Sequence, residues 1–293
     1  MSKPSIAFLG LGVMGYPMAG HLAKAGYAVT VYNRSNAKAK SWCEAHSGQS
    51  ADTPGDAVAN ADIVLVCVGN DDDVRSVTYG DHGALAGMQS GAVLVDHTTT
   101  SALLARELAE AAQQAGVGFI DAPVSGGQAG AENGALTIMA GGEQAVFDSV
   151  STALDVYARK CELMGGTGSG QLTKMVNQIC IAGLVQGLAE GLNFAELAGL
   201  DAHKVVEVIS KGAAQSWQME NRFETMLAGE YNHGFAVEWM RKDLAYGIAE
   251  AKSHGAELPV TETVNGYYAD VLDLGGARWD TSSLLERLKQ RRS

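Results

Sequence analysis

Three short segments of the chain combine residues suited to binding anions and moving protons. The first, Gly10-Leu11-Gly12-Val13-Met14-Gly15, follows an apolar run at Ser5–Leu9 and precedes a helix-compatible stretch at Pro17–Ala25. In that setting the first glycine permits a tight turn, the second lets backbone approach a pyrophosphate, and the third allows close helix packing, with the helix N-terminus toward the anion. The glycine pattern alone is weak evidence. Its order of strand, glycine turn, helix and second strand, completed within about 30 residues, is what a dinucleotide-binding fingerprint requires. A NAD site usually places Asp or Glu about 20 residues beyond the loop to take the ribose hydroxyls. This chain has Asn33-Arg34-Ser35 there. The planar fork of Arg34 can pair with a 2′-phosphate, with Ser35 and Lys38 near enough to assist, so the expectation is a site that prefers NADP(H) and admits NAD(H). An arginine that merely occupies a solvated turn is the plainer alternative.

The second segment is Asp121-Ala-Pro-Val-Ser125-Gly126-Gly127, placed after an apolar run, where ligands bind in open α/β sheets. Its glycines leave amide donors uncovered for an anion, although a simple Pro-containing turn reads the same. In the third, Lys174, Asn177 and Gln178 are spaced i, i+3 and i+4 and share one helix face. From Met175 to Ala189 there is no charged residue. A lysine bordering such a stretch costs free energy unless it is paired or used, so it is either functional or snorkels to solvent at a helix start. A polar cluster, Asp96-His-Thr98-Thr-Thr-Ser101, offers a helix N-cap in Thr100 or Ser101.

The elements that would carry these segments are legible in the hydrophobic pattern. Ser5–Leu9, Ala28–Tyr32, Asp62–Val66, Ala92–Val95 and Val117–Ile120 are short apolar, β-branched runs separated by longer amphipathic ones such as Ser101–Gln114. That alternation predicts βαβ units and a Rossmann-type, doubly wound parallel sheet over residues 1–165. Beyond about residue 165 the strand-like runs stop and helical segments at 171–198, 202–211, 236–254, 260–274 and 282–291 take over. Gly165-Gly166-Thr-Gly168-Ser-Gly170 marks the change. The prediction is an all-α C-terminal domain over 166–293, for substrate binding and oligomerisation, joined through a long interdomain helix.

Bulk properties narrow the function. A net charge of −12 works against nucleic acid, which is bound chiefly by neutralising phosphates. The one basic run, Arg287–Arg292, reads as a solvated helix end. Four cysteines without paired spacing and seven histidines outside any ligand motif support no metal site. No secretory signal pattern follows Met1, and with no disulfide pattern a cytoplasmic location is expected. The uncharged stretch Met175–Ala189 falls short of the ~20 apolar residues that cross a bilayer, so it reads as a buried helix and no membrane partner is expected.

Taken in order across nearly the whole chain, these motifs resemble the β-hydroxyacid dehydrogenase family, of the 3-hydroxyisobutyrate dehydrogenase and tartronate semialdehyde reductase type. The resemblance includes Tyr16-Pro-Met-Ala19 after the glycine loop and Phe235-Ala-Val-Glu-Trp239-Met-Arg-Lys242-Asp243-Leu244 near the C-terminus. It implies hydride transfer between NADP(H) and a small 3-hydroxy acid or its semialdehyde or 2-oxo acid. It also implies a homodimer or homotetramer. By the same resemblance, Ser125 and the backbone of Gly126 and Gly127 hold the substrate carboxylate, Thr98 lies near the nicotinamide ribose, and Lys174 is the catalytic lysine. Asn177 and Gln178 would orient it or the substrate, Phe235 would flank the substrate, and Lys242 would lie near the nicotinamide. Relatives commonly have asparagine where this chain has Gln178, a longer amide expected to reach further into the substrate pocket. Imine reductases share the layout but generally carry Asp or Tyr at the position of Lys174. A 6-phosphogluconate dehydrogenase is longer. A non-catalytic NADPH-binding module would have no need of Lys174.

Overall fold

The computed structural model describes residues 3–292 and divides into two compact units, one ending at Lys174 and one starting at Met175. In the first unit, β1 (Ile6–Leu9), α1 (Gly15–Lys24), β2 (Val29–Tyr32), α2 (Asn36–Ala45), β3 (Gln49–Ser50) and α3 (Pro54–Val58) precede β4 (Ile63–Val66), α4 (Asp71–Thr78) and α5 (Ala84–Gly87). There follow β5 (Val93–Asp96), α6 (Ala102–Gln114), β6 (Gly118–Asp121), β7 (Val124–Ser125), α7 (Gly127–Glu132), β8 (Leu136–Gly142), α8 (Gln144–Leu154) and β9 (Ala158–Leu163).

Strands β3-β2-β1-β4-β5-β6 run in that spatial order, all neighbours parallel. Chain order reverses between β1 and β4, the switch point at which ligands of this architecture bind beyond the strand ends. Every residue of β1, β4 and β5 is buried. Alternate residues serve opposite faces: Ile6 and Phe8 pack with Val31, Trp42 and Tyr157, whereas Ala7 and Leu9 pack with Val66, Leu94 and Leu104. A parallel sheet covered on both faces therefore reads as unbroken apolar runs.

Beyond β6 the sheet departs from the expected pattern. β8 runs antiparallel to both β6 and β7, and β9 pairs with β8 in parallel. These strands were not among the predicted ones. β9 is an edge strand with the mostly solvent-facing sequence Ala-Arg-Lys-Cys-Glu-Leu, which has no apolar signature.

α9 (Ser169–Leu197) begins in the first unit and continues in the second. The second unit adds α10 (Ala202–Ile209), α11 (Trp217–Ala228), α12 (Val237–Ser253), α13 (Pro259–Asp273), a 3-10 turn at Thr281–Ser283 and α14 (Leu284–Gln290). Its core joins Val185, Ala189 and Leu192 of α9 with Met240, Leu244, Tyr268, Val271 and Leu284. By length and mean hydropathy (1.2) α9 resembles a membrane span. Its buried Lys174 and Gln178 and its core-packed apolar residues make it a core helix instead. α11 went unpredicted because its fully buried residues are Met219 and Met226, too narrow a stripe to show a period. Ser216 caps its start through a bond from the Met219 N–H, and Gly229 ends it at φ 72°.

Candidate active site

The glycine loop follows β1 directly, and its glycines differ in what constrains them. A Cβ on Gly10 (φ 102°) would lie 2.2 Å from the Cys67 carbonyl oxygen, and one on Gly15 would lie 2.0 Å from that of Gly10. Both are therefore demanded by the packing of β1, β4 and α1. A Cβ on Gly12 would meet nothing within 4 Å. The middle glycine leaves backbone open to space, the arrangement a pyrophosphate needs, so the loop fits a dinucleotide. Leu11 is buried and anchors the loop, Val13 is exposed, and half-buried Met14 occupies the N-cap of α1 without a side-chain cap bond.

Asn33, beyond β2, is directed at the loop itself: its Oδ1 accepts from the Leu11 N–H (3.0 Å) while its Nδ2 donates to the Ser35 carbonyl (3.1 Å). Arg34 is exposed and lies 3.5 Å from Asp73 in the first turn of α4. Ser35 is exposed at the N-cap of α2 and makes no side-chain cap bond.

At the ends of β5 and β6 the polar groups are buried. Thr98 is 2% exposed; its N–H donates to Asp96 Oδ1 (2.9 Å) and its Oγ1 accepts from the Val68 N–H (3.1 Å), tying the end of β5 to that of β4. Burial pushes the Asp96 carboxyl up to about 7, opposed by its bonds from Thr98. His97 is buried between the Ala122 carbonyl (2.7 Å from Nδ1) and the Tyr157 hydroxyl (2.8 Å from Nε2). A carbonyl only accepts, so Nδ1 carries the proton and Nε2 accepts from Tyr157. Burial lowers its pKa to about 4, with the Ala122 bond pulling the other way. Ser101, rather than Thr100, caps α6, accepting from the Leu104 N–H and donating to Asp71.

Asp121, the last residue of β6, receives the Gly168 N–H on Oδ1 (2.7 Å) and the Gln171 N–H on Oδ2 (2.9 Å), so it caps the start of α9 from another element. Burial raises its carboxyl to about 7 against the pull of those backbone donors. Lys174 is 7% exposed, one turn further along α9. Ser125 ends β7, half-buried and in register with Thr137; Gly126 (φ 130°) and Gly127 (φ 60°) follow it in conformations open to glycine. Sequence reasoning singled out Lys174 and Ser125 but missed Gln171, because neither the burial nor the partners of a polar side chain are encoded in its own spacing.

In the second unit Gln178 is buried and fully engaged. Its Nε2 donates to Asp243 Oδ2 (2.7 Å) and its Oε1 accepts from Asn177 Nδ2 (2.7 Å). The side chain of this longer amide is bonded to Asp243 of α12. Lys242 Nζ lies 3.3 Å from Asp243 Oδ1 and over the rings of Trp239 and Tyr246. Asp243 thus joins two of the predicted residues, a role only its position beside Lys242 hinted at. Phe235 packs at the edge of the helical core, its N–H donating to Asp280.

Two family profiles account for nearly all of this architecture: the NAD binding domain of 6-phosphogluconate dehydrogenase over residues 5–166, and the NAD-binding domain of NADP-dependent 3-hydroxyisobutyrate dehydrogenase over 168–288. The chain belongs to the β-hydroxyacid dehydrogenase family. A probable 3-hydroxyisobutyrate dehydrogenase-like protein of Arabidopsis thaliana is 39% identical, over 99% of this chain and 86% of that one. The 2-hydroxy-3-oxopropionate reductase of Escherichia coli is 32% identical, over 97% of each chain. Among solved structures, Mycobacterium tuberculosis 3-hydroxyisobutyrate dehydrogenase with L-serine superimposes with a TM-score of 0.87 at 29% identity, covering 98% of this chain and 99% of that one. As a family member the chain is an NAD(P)-dependent hydroxyacid dehydrogenase, with the Rossmann unit and the helical unit in the family's order.

Proposed function

We propose that this β-hydroxyacid dehydrogenase prefers NADP(H) and interconverts a small 3-hydroxy acid with its semialdehyde, or a small 2-oxo acid with the corresponding 2-hydroxy acid. One observation carries the reading: a buried lysine, Lys174, stands one turn from a helix start that is hydrogen-bonded to Asp121 at the end of β6 and to the loop after β5, in the sheet whose β1 leads into the dinucleotide loop. The E. coli relative is named for a semialdehyde acid and the M. tuberculosis structure holds L-serine, both small carboxylates with oxygen one carbon beyond the α position.

The amides of Gly10–Gly15 and the first turn of α1 would hold the pyrophosphate, and Arg34 with Ser35 the 2′-phosphate. When bound, the nicotinamide supplies or takes the hydride. The protein manages the proton: the Lys174 ammonium donates from Nζ to the carbonyl oxygen in reduction, and the neutral amine accepts the hydroxyl proton in oxidation. Ser125 Oγ and the amides of Gly126 and Gly127 hold the carboxylate. Asn177 and Gln178, linked to each other and to Asp243, orient polar groups near Lys174 on the same helix, and Lys242 and Phe235 take their family roles. An imine reductase would carry Asp or Tyr in place of Lys174, and a mere NADPH-binding module would need neither Lys174 nor Ser125.

We infer that the enzyme is cytoplasmic and works as a homodimer or homotetramer. Phe194, Leu197, Leu200 and Val208 of the helical unit are more than half exposed, apolar area of the kind that subunit interfaces cover. The test of function is a turnover panel with NADPH and NADH. It would contain glyoxylate, succinic, tartronate and methylmalonate semialdehydes for reduction, and L-serine and 3-hydroxyisobutyrate for oxidation. Turnover of at least one carboxylate substrate, faster with NADPH, is expected. Turnover confined to uncharged ketones or imines would contradict the assignment.

A further inference from the structure

We propose that Gln171 is a positioning residue whose buried carboxamide clamps the Thr98–Thr100 loop to the first turn of α9 and so fixes Lys174 relative to that loop. This rests on the reading of Lys174 as the proton donor and acceptor.

Gln171 is fully buried. Its Oε1 accepts from the Thr100 N–H (3.0 Å) and its Nε2 donates to the Thr98 carbonyl (2.8 Å). One planar amide thus binds a donor and an acceptor two residues apart, which fixes the loop in direction as well as distance. The same residue's N–H is held by Asp121, which also holds Gly168. Close contact leaves no slack: a Cβ on Gly170 would lie 2.4 Å from the Met139 carbonyl oxygen and 2.6 Å from that of Asp121. Lys174 follows Gln171 by three residues, a rise of about 4.5 Å along the helix. A movement of the first turn is therefore carried to Nζ, and a misplacement of about 1 Å can cost on the order of 10² in rate.

Two substitutions separate positioning from mere stability. Gln171→Leu keeps the size but strands the Thr98 carbonyl and the Thr100 N–H. Gln171→Glu is switchable: a protonated carboxyl donates and accepts as the amide does, whereas the carboxylate still accepts from the Thr100 N–H through one oxygen but sets its other oxygen, an acceptor, against the Thr98 carbonyl. Burial raises a carboxyl pKa, so the switch falls within an accessible range between about pH 6 and 9. The charged groups near this position include Asp121 on β6, which accepts the Gln171 N–H, Asp96 on β5, Asp71 on α4, Arg106 on α6 beside Gly168, and Lys174 on α9. All are present in the wild type, so the ratio of variant to wild-type rates cancels their own titration and leaves that of the new group, coupled to them.

The experiment measures kcat, KM and NADPH affinity for wild type, both Gln171 variants and Lys174→Ala across that pH range. Gln171→Leu should lose roughly 10² in kcat with NADPH affinity nearly unchanged. The Gln171→Glu to wild-type ratio of kcat should climb as pH falls. An inactive Lys174→Ala beside a Gln171→Leu of wild-type kcat would overturn the clamp alone, as would a Gln171→Glu ratio that is flat with pH. The latter decides the matter even if Gln171→Leu fails to fold. A fully active Lys174→Ala would instead remove the reading of lysine on which the clamp depends.

Discussion

In the proposed preference for NADP(H), cofactor choice rests on a single side chain, Arg34. It is 90% exposed and its neighbour Asp73 sits 3.5 Å away, a surface pair that is worth little by itself. A 2′-phosphate offers a stronger, charge-assisted partner, worth about 1.5–3 kcal/mol, so Arg34→Ala should weaken NADPH roughly 10- to 150-fold and NADH little. Titration of both cofactors checks this; equal weakening would show that the arginine does not read the phosphate. Asp73 competes for the same fork. Asp73→Asn should therefore tighten NADPH by up to about fivefold at low salt, with no gain for NADH, and a gain shared by both would assign Asp73 another role. Residue identity and spacing singled out Arg34 and Lys174 as candidates, and the family resemblance supplied the role expected of Ser125. Asp121 stood in a quoted motif and Gln171 in another, yet nothing in either motif says that the two meet at a helix start.

Elements whose signal is local were legible, and those defined by tertiary pairing were not. β1, β2, β4, β5 and β6 fall within a residue or so of the apolar runs that predict them, because a strand buried on both faces must be apolar throughout. β9 is partly exposed and α11 buries a thin stripe, so neither carries a period. His97 shows how an element junction sets stability. Its folded pKa, about 4, lies below the ordinary value of 6.5, so the unfolded chain binds the proton first as pH falls. The stability it contributes is full above about 6.5 and is lost as pH drops toward 4. Asp96 and Asp121, raised to about 7, act in the opposite sense: their contribution is full below the ordinary carboxylate range and is lost as pH rises through 7. The wild-type curve mixes all three, so His97→Asn is the informative comparison. Between pH 7 and 5 wild type should lose about 2 kcal/mol more than this variant in denaturant unfolding. Parallel pH profiles would show that His97 does not stay neutral in the fold.

At the scale of the whole molecule, two units with separate cores are linked by one continuous helix, which carries Lys174, Asn177 and Gln178 across the division. The change from alternating strands to helices was readable near residue 165; the compact units divide within α9 instead, because its first turn is bonded into the sheet. The exposed apolar residues of the helical unit lead to an expectation for mass: light scattering should return a dimer or tetramer of the 30.5 kDa chain. A monodisperse monomer at micromolar concentration would contradict it. The central claim is that Lys174 moves the proton while other groups hold the dinucleotide, and purified Lys174→Ala tests it most directly. With the best acid substrate, turnover should fall on the order of 10²–10⁴-fold while the NADPH dissociation constant stays close to that of wild type. Wild-type turnover in this variant, or a loss explained entirely by weaker NADPH binding, would contradict the account.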